Sequence, residues 1–141
     1  MKDQFFIHFE YGMPKGTAQM KRYNGRTGTY FKDKNLQNAE WLFRLGLEPH
    51  APKQPSELPI KLSIWFYFDV KSKKLWGKPK TSKPDVDNYS KAFIDQMTKC
   101  GFWLDDSQIV ELDLHKFYAE KATILVRYEE IISEQSERQL T

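Results

Sequence analysis

Two acidic clusters separated by a helix-length interval constrain this chain more than any other feature of its sequence. The first contains Asp85 and Asp87, and the second contains Asp105 and Asp106. Two unit charges about 4 Å apart repel by roughly 4 kcal/mol at an effective dielectric near 20. A hard divalent cation such as Mg²⁺ removes that repulsion and prefers oxygen ligands. The fold is therefore expected to bring both clusters to one metal site.

The interval between the clusters predicts a helix from Asp87 to Lys99. Asp87 or a neighbour suits its start, because Asp and Asn accept hydrogen bonds from the free N–H groups of a first turn. Gly101 suits the left-handed residue that ends a helix. The buried face is expected to contain Tyr89, Ala92, Phe93, Gln96 and Met97.

The rest of the pattern predicts an α+β fold with a mixed or antiparallel sheet packed by two main helices. The second helix is expected over residues 35–45, with Gly46 near its stop. The glycine-rich residues 15–34 predict a long loop or hairpin, and the four prolines of residues 49–59 predict an extended connector. Strands are expected over residues 4–11, 60–70, 109–118 and 122–128.

The length of 141 residues favours a single domain. We expect it over residues 1–130, followed by a polar tail over 131–141. No apolar run approaches the roughly 20 residues that span a bilayer, and the N-terminus does not have the pattern of a signal peptide. Cys100 is the only cysteine and the three histidines are scattered, so neither an internal disulfide nor a zinc framework is expected. A cytoplasmic, reducing compartment is the simplest interpretation.

Positive charge is concentrated in two stretches, although the net charge is only +3. One lies in residues 15–34 and the other directly precedes the first acidic cluster. A single lysine usually does no more than keep a surface soluble, but a cluster beside carboxylates favours contact with a nucleic acid. The candidate DNA-binding residues are Lys15, Lys21, Arg22, Arg26, Lys71, Lys73, Lys74, Lys78, Lys80 and Lys83.

Each part of the acidic constellation has a plainer interpretation when it is taken alone. Asp85 or Asp87 is most often a helix cap, and the Asp105-Asp106 pair is most often a turn. Lys91 lies four residues after Asp87, so it could be a weak helical ion-pair partner. The combination of all of these residues at this spacing favours a functional site.

The combination resembles the RusA family of Holliday junction resolvases. The resemblance rests on Lys83-Pro84-Asp85-Val86-Asp87-Asn88, on a lysine four residues after Asp87, and on Gly101 followed by Asp105-Asp106-Ser107-Gln108. It implies metal ligands at Asp85, Asp87 and Asp106 and an essential lysine at Lys91, with Asp105 beside them.

The resemblance also implies an activity. Members of this family are homodimeric, Mg²⁺-dependent endonucleases that act on branched DNA, and they are common in phages and prophages. Mn²⁺ is expected to substitute for Mg²⁺. No small-molecule cofactor and no membrane partner are expected, and the location is intracellular, in a bacterial or phage-infected cell.

One loop departs from the family pattern. Many relatives carry an arginine- and proline-rich turn after the first strand, whereas here residues 14–22 delay the arginine to Arg22. Three alternative functions remain: a metal-dependent nuclease acting on flaps or forks, a non-catalytic junction-binding protein, and a purely structural protein. The structural protein is the weakest, because it leaves the aspartates and their lysine neighbours without a purpose.

Overall fold

A four-stranded mixed sheet and two helices form the body of the chain. The computed structural model describes residues 2–16, 21–32 and 34–132. The two helices and the mixed sheet confirm the predicted α+β fold. In chain order the elements are β1 (Lys2–His8), β2 (Lys21–Asn24), β3 (Thr29–Lys32), α1 (Lys34–Leu47), β4 (Ile60–Asp69), α2 (Val86–Lys99), β5 (Ile109–Ala119) and β6 (Thr123–Glu130).

The strand order is β1-β6-β4-β5, which places β5 at one edge of the sheet. β6 is antiparallel to both β1 and β4, whereas β5 is parallel to β4. The consecutive strands β5 and β6 are therefore not neighbours, because β4 lies between them. β2 and β3 pair with each other as a separate hairpin, which is one of the two alternatives, loop or hairpin, predicted for residues 15–34.

Aromatic side chains join the two helices to the sheet. Phe43 of α1 packs edge-on against Tyr89 and Phe93 of α2, with ring centroids 5.7 Å and 5.2 Å away. Phe66 of β4 meets Tyr89 in the same way at 5.2 Å. Edge-to-face pairs at this spacing stabilise a core beyond the area that they bury. The start of α2 is consequently held at a fixed position over the sheet.

All five residues predicted for the buried face of α2 are buried, including the polar Gln96. The Gln96 amide accepts a hydrogen bond from Arg44 Nη2 at 2.9 Å and donates one to Glu40 Oε2 at 3.2 Å. A buried amide with partners for both its oxygen and its nitrogen avoids the cost of an unsatisfied polar group. These bonds fix the two helices against each other.

Two predicted boundaries are wrong at the N-terminal side of the fold. α1 continues through Gly46 to Leu47, and β1 ends at His8 instead of reaching residue 11. Gly46 is a contact residue and not a stop, because a Cβ there would lie 2.5 Å from Ile7 Cγ2. By contrast, Gly101 has φ +87°, as predicted for the residue that ends α2.

The proline-rich connector is not wholly extended, because Glu48–His50 forms a single 3₁₀ turn with Pro49 near its start. Among the described residues, no helix is long and apolar enough to span a membrane. The predicted domain boundary follows the end of β6, and residues 133–141 of the predicted tail lie outside the described residues. That boundary stays a prediction.

Candidate active site

Asp85 stands directly before α2, where a capping side chain is expected, yet its carboxylate makes no capping hydrogen bond. It accepts hydrogen bonds instead from Lys83 Nζ at 3.1 Å and from Asn88 Nδ2 at 3.4 Å. The side chain is 50% exposed and the lysine is 86% exposed. The Asp85 carboxylate is thus not needed by the helix and is accessible from solvent.

Asn88 is the strongest site residue that sequence reasoning did not select. Its side chain is buried, and its Oδ1 atom has no hydrogen-bond partner within the described residues. Leaving a buried acceptor unsatisfied is costly, so such an atom calls for a ligand, an ion or a water. The signal was present in the motif, because Asn88 directly follows Asp87.

The donor set at the start of α2 fits a hard divalent cation. Asp85 and Asp87 would supply carboxylate oxygens to such an ion, and Asn88 would supply its Oδ1, which has no partner among the described residues. Mg²⁺ binds through one or two carboxylates and keeps several waters, so a complete cage of protein ligands is not required. A bound ion would replace the exposed ammonium of Lys83 as the partner of Asp85.

Lys91 lies one helical turn after Asp87, and both side chains are exposed. Within the described residues no ion pair joins them, so the simple helical pair considered from the sequence is not formed. The Lys91 ammonium is therefore open to a substrate that approaches the start of α2.

Asp106 lies beyond the opposite end of α2. The helix has 14 residues, which corresponds to roughly 20 Å at the usual helical rise. Burial raises the pKa of Asp106, and its contact with Asp105 and the charge of Asp95 raise it further. Across the described ranges, no three carboxylate, imidazole or thiol groups lie close enough to hold a metal ion. Within one chain, α2 therefore separates Asp106 from Asp85 and Asp87.

Asp105 is a capping residue. Its carboxylate accepts a hydrogen bond from the backbone N–H of Ser107 at 2.9 Å, at the start of a 3₁₀ turn over Asp106–Gln108. This bond holds the pKa of Asp105 below its usual range. Gln108 accepts from Asp105 N at 2.9 Å and donates to Ser56 O at 2.8 Å. The Asp105-Asp106 turn is thus fixed to the connector that precedes β4.

A cavity of about 680 Å³ opens beside Asp85 and Asn88. Lys15, Lys80 and Lys83 line it, so three of the predicted DNA-binding residues share this cavity with Asp85. Asp69, at the end of β4, also lines it and accepts a hydrogen bond from Met13 N at 3.1 Å. The cavity can accept an anion such as a phosphate on its basic side.

Lys80 contacts three side chains at the cavity. Its ammonium lies 4.8 Å from the ring centroid of Tyr118 and 5.4 Å from that of Phe68, and it donates to Ser82 Oγ at 2.7 Å. The hydrogen bond to Ser82, together with the nearby lysines, lowers the pKa of Tyr118. Sequence reasoning missed Tyr118 because it reads as an ordinary strand residue.

The other predicted DNA-binding residues are more dispersed. Lys71, Lys73, Lys74 and Lys78 are exposed on the segment between β4 and α2, and Arg26 is exposed in the turn between β2 and β3. The side chains of Lys21 and Arg22 lie outside the described part of the chain. The structure therefore places only part of the basic set at the cavity.

Comparison with known proteins gives consistent matches. The profile of a family described as "Endodeoxyribonuclease RusA" matches residues 12–129. A crossover junction endodeoxyribonuclease of Lactococcus phage r1t is 36% identical over 131 residues, which cover 91% of this chain and 99% of the phage protein. An uncharacterised Bacillus subtilis protein, YqaN, is 43% identical over 85% of this chain and 88% of its own length. The RusA crossover junction endodeoxyribonuclease of Escherichia coli K12 is 38% identical over 60 residues, which cover 43% of this chain and 50% of the relative.

Proposed function

Because the chain belongs to the RusA family of endodeoxyribonucleases, we propose that it resolves four-way DNA junctions by Mg²⁺-dependent hydrolysis of phosphodiester bonds. The observation that carries this proposal is that Asp85 and Asn88, whose Oδ1 atom has no partner among the described residues, line one cavity together with lysines. A phosphate in that cavity would lie close to both the cation site and the cationic side chains. The expected setting is the interior of a bacterial or phage-infected cell.

Asp85 and Asp87 would hold the ion, with Asp106 as the third carboxylate. When bound, Mg²⁺ would neutralise charge on the phosphate and favour attack by water. Lys91 would stabilise the negative charge that develops on the phosphate and the leaving oxygen. Asn88 would orient the Asp85 carboxylate through Nδ2 and use its free Oδ1 towards the ion or a water.

The length of α2 separates Asp106 from Asp85 and Asp87 within one chain. This separation supports a homodimer in which the Asp106 carboxylate of each site comes from the second copy. Within the described residues, the outer edge of β5 is covered by residues 77–80 only near Phe117. The rest of this edge carries two exposed apolar side chains, Val110 at 59% and Leu112 at 49%. An uncovered edge of this kind is a template for pairing with another strand.

Antiparallel pairing of two β5 strands about Leu112 would set the partner's Ile109 opposite His115. The partner's Asp106 would then lie beyond the paired stretch, next to residues 77–80, which lead to the cavity lined by Tyr118 and Asp85. A closed two-fold dimer has two equal sites. Two such sites suit the paired cuts that resolve a four-way junction.

The lysines at the cavity and on the segment before α2 would bind the DNA backbone. Phosphate contacts position a protein on DNA without reading its sequence. Binding is therefore expected to weaken steeply as salt rises, because each neutralised phosphate releases counterions.

The test is cleavage of a synthetic four-way junction with Mg²⁺ or Mn²⁺, with flaps and forks as competing substrates. Asp85→Asn, Asp87→Asn, Asp106→Asn and Lys91→Ala are expected to lose cleavage while they retain junction binding in EDTA. If flaps or forks are cut in preference to the four-way junction, the proposed substrate would have to be replaced by that structure. Junction binding without any nicked product from the wild type would make the chain a non-catalytic binder, and full activity of an aspartate variant would remove that residue from the site.

A further inference from the structure

Lys116, near the end of β5, directs its side chain to the segment that leads into the candidate active site. Its Nζ atom donates hydrogen bonds to the carbonyl oxygens of Ser82 at 2.7 Å and Pro84 at 2.8 Å. An ammonium group has three donors. Lys116 thus uses two of them on carbonyls that lie within three residues of Asp85.

The backbone of β5 holds the earlier part of the same segment. Lys80 N donates to Lys116 O at 3.0 Å, Tyr118 N donates to Lys78 O at 2.9 Å, and Gly77 N donates to Tyr118 O at 2.8 Å. This short ladder ends at Lys80. Among the described residues, 81–84 make no backbone–backbone hydrogen bond outside their own stretch. The Lys116 side chain extends the attachment from the end of the ladder to the residue before Asp85.

The Lys116 ammonium also interacts electrostatically with Lys80 and Asp85 at the candidate site. Burial lowers the pKa of its ammonium, nearby Lys80 lowers it further, and Asp85 acts in the opposite direction. Hydrogen bonds from a charged donor are stronger than those between neutral groups. Two such bonds from one side chain restrict the segment far more than an exposed lysine would.

We propose that Lys116 is a positioning residue for the hydrolysis: it clamps the Ser82 and Pro84 carbonyls and so fixes the direction from which Asp85 faces the cavity. This inference rests on the proposed function for its effect on cleavage, but the clamp itself can be measured without any activity. Lys116 does not need to contact DNA or the ion for this role.

The experiment compares Lys116→Met and Lys116→Arg with wild type. Lys121→Met serves as the matched control, because Lys121 is an exposed lysine just beyond the same strand. The first readout is the single-turnover cleavage rate at saturating junction and Mg²⁺, set beside the junction Kd in EDTA. The second is amide hydrogen exchange of residues 78–85 in the DNA-free protein, where the hydrogen-bonded N–H groups of Lys78 and Lys80 report whether the end of the ladder opens more often.

We expect Lys116→Met to slow single-turnover cleavage at least tenfold while the junction Kd changes less than threefold. Its residues 78–85 should exchange faster while the α1–α2 core keeps its protection. Lys116→Arg keeps the charge and several donors, so it should recover part of the rate and protection. Lys121→Met should match wild type in both measurements.

Unchanged exchange of residues 78–85 in Lys116→Met would overturn the clamp. A large rise in Kd with a normal rate at saturation would also overturn it, since Lys116 would then be a phosphate contact. If Lys116→Met does not fold, Lys116→Gln decides: wild-type rate and exchange in this neutral variant would overturn the clamp, whereas a slower rate with faster exchange would support it. Failure of the wild type to cut junctions would reject the proposed function, whereas the exchange data would still decide the clamp.

Discussion

At the residue scale, Asp85 and Asp105 occupy equivalent positions and perform different tasks. Each directly precedes a helical turn, but only Asp105 caps it, by accepting a hydrogen bond from Ser107 N at 2.9 Å. Asp85 is bonded to Lys83 and Asn88 instead. A carboxylate that a helix does not need can be used for a ligand. In the second acidic pair, Asp105 is therefore the structural aspartate, and Asp106 is the candidate functional one.

The first prediction separates these roles by stability. Asp105→Ala should lower the Tm by about 2–5 °C, because it removes a cap. Asp85→Ala should leave the Tm within about 1 °C, because its exposed pairing with Lys83 contributes little. Differential scanning calorimetry at low ionic strength measures both. A larger loss for Asp85→Ala than for Asp105→Ala would contradict the assignment.

The Asp105 effect should depend on pH in a defined direction. The Ser107 hydrogen bond holds the pKa of Asp105 below its usual range. A carboxyl with a depressed folded-state pKa stabilises the fold above the unfolded pKa of about 3.9 and loses that contribution as pH falls. The Tm difference between wild type and Asp105→Ala should thus be full at pH 6–7 and shrink below about pH 4.

At the element scale, α2 and α1 show why some boundaries are predictable from a sequence. The end of α2 follows from local chemistry, since Gly101 adopts φ +87°, which other residues rarely tolerate. The end of α1 does not follow from Gly46, because that glycine lies within the helix and makes a close contact across the fold with Ile7. A glycine that stops a helix and one that allows close packing look the same in a sequence.

The second prediction follows from that contact. Gly46→Ala should destabilise the fold by about 1–2 kcal/mol, because overpacking against Ile7 outweighs the better helix propensity of alanine. The β-branched Ile7 is buried and stiff, so it cannot move aside easily. Urea denaturation followed by circular dichroism measures the change.

Gly25→Ala is the matched control. A Cβ at Gly25 would meet nothing within 4 Å, so alanine there should change stability by less than about 0.5 kcal/mol. Equal stability of Gly46→Ala and wild type would show that α1 can shift away from β1. The close approach would then not be a constraint on the fold.

At the scale of the whole molecule, the strand order decides which residues can meet. α2 carries the chain away from Asp85, and β5 returns alongside it to Lys116 and Tyr118, which lie beside the cavity. Asp106 is left at the far end of both elements. In the dimer that we propose through the edge of β5, each site would combine Asp85 and Asp87 of one copy with Asp106 of the other.

The third prediction tests this arrangement by mixing subunits. In a heterodimer of Asp85→Asn and Asp106→Asn, a site shared between copies would place both substitutions in one site and leave the other intact. Differently tagged subunits, co-expressed and purified as heterodimers, should therefore nick a junction, although each homodimer is inactive. The expected rate is about half that of wild type, because one site of two remains.

A heterodimer of Asp85→Asn and Asp87→Asn is the control. Both residues come from the same copy in each site, so every site would carry one substitution and no cleavage is expected. Activity of this control, or inactivity of the Asp85→Asn and Asp106→Asn heterodimer, would reject the shared site. Size-exclusion chromatography with light scattering checks that both mixtures are dimeric.

The sequence by itself determined the α+β class, the extent of α2 and the buried face of that helix, because these follow from local spacing and propensity. It also predicted, from charge and spacing, that Asp85 and Asp87 act at one site. Only the tertiary structure decided which distant residues come together: the Gly46–Ile7 contact, the unpartnered Oδ1 of Asn88, the Lys116 clamp, and the separation of Asp106 from Asp85. The physical reason is that spacing along a chain fixes neighbours within an element, whereas strand order and packing fix neighbours between elements.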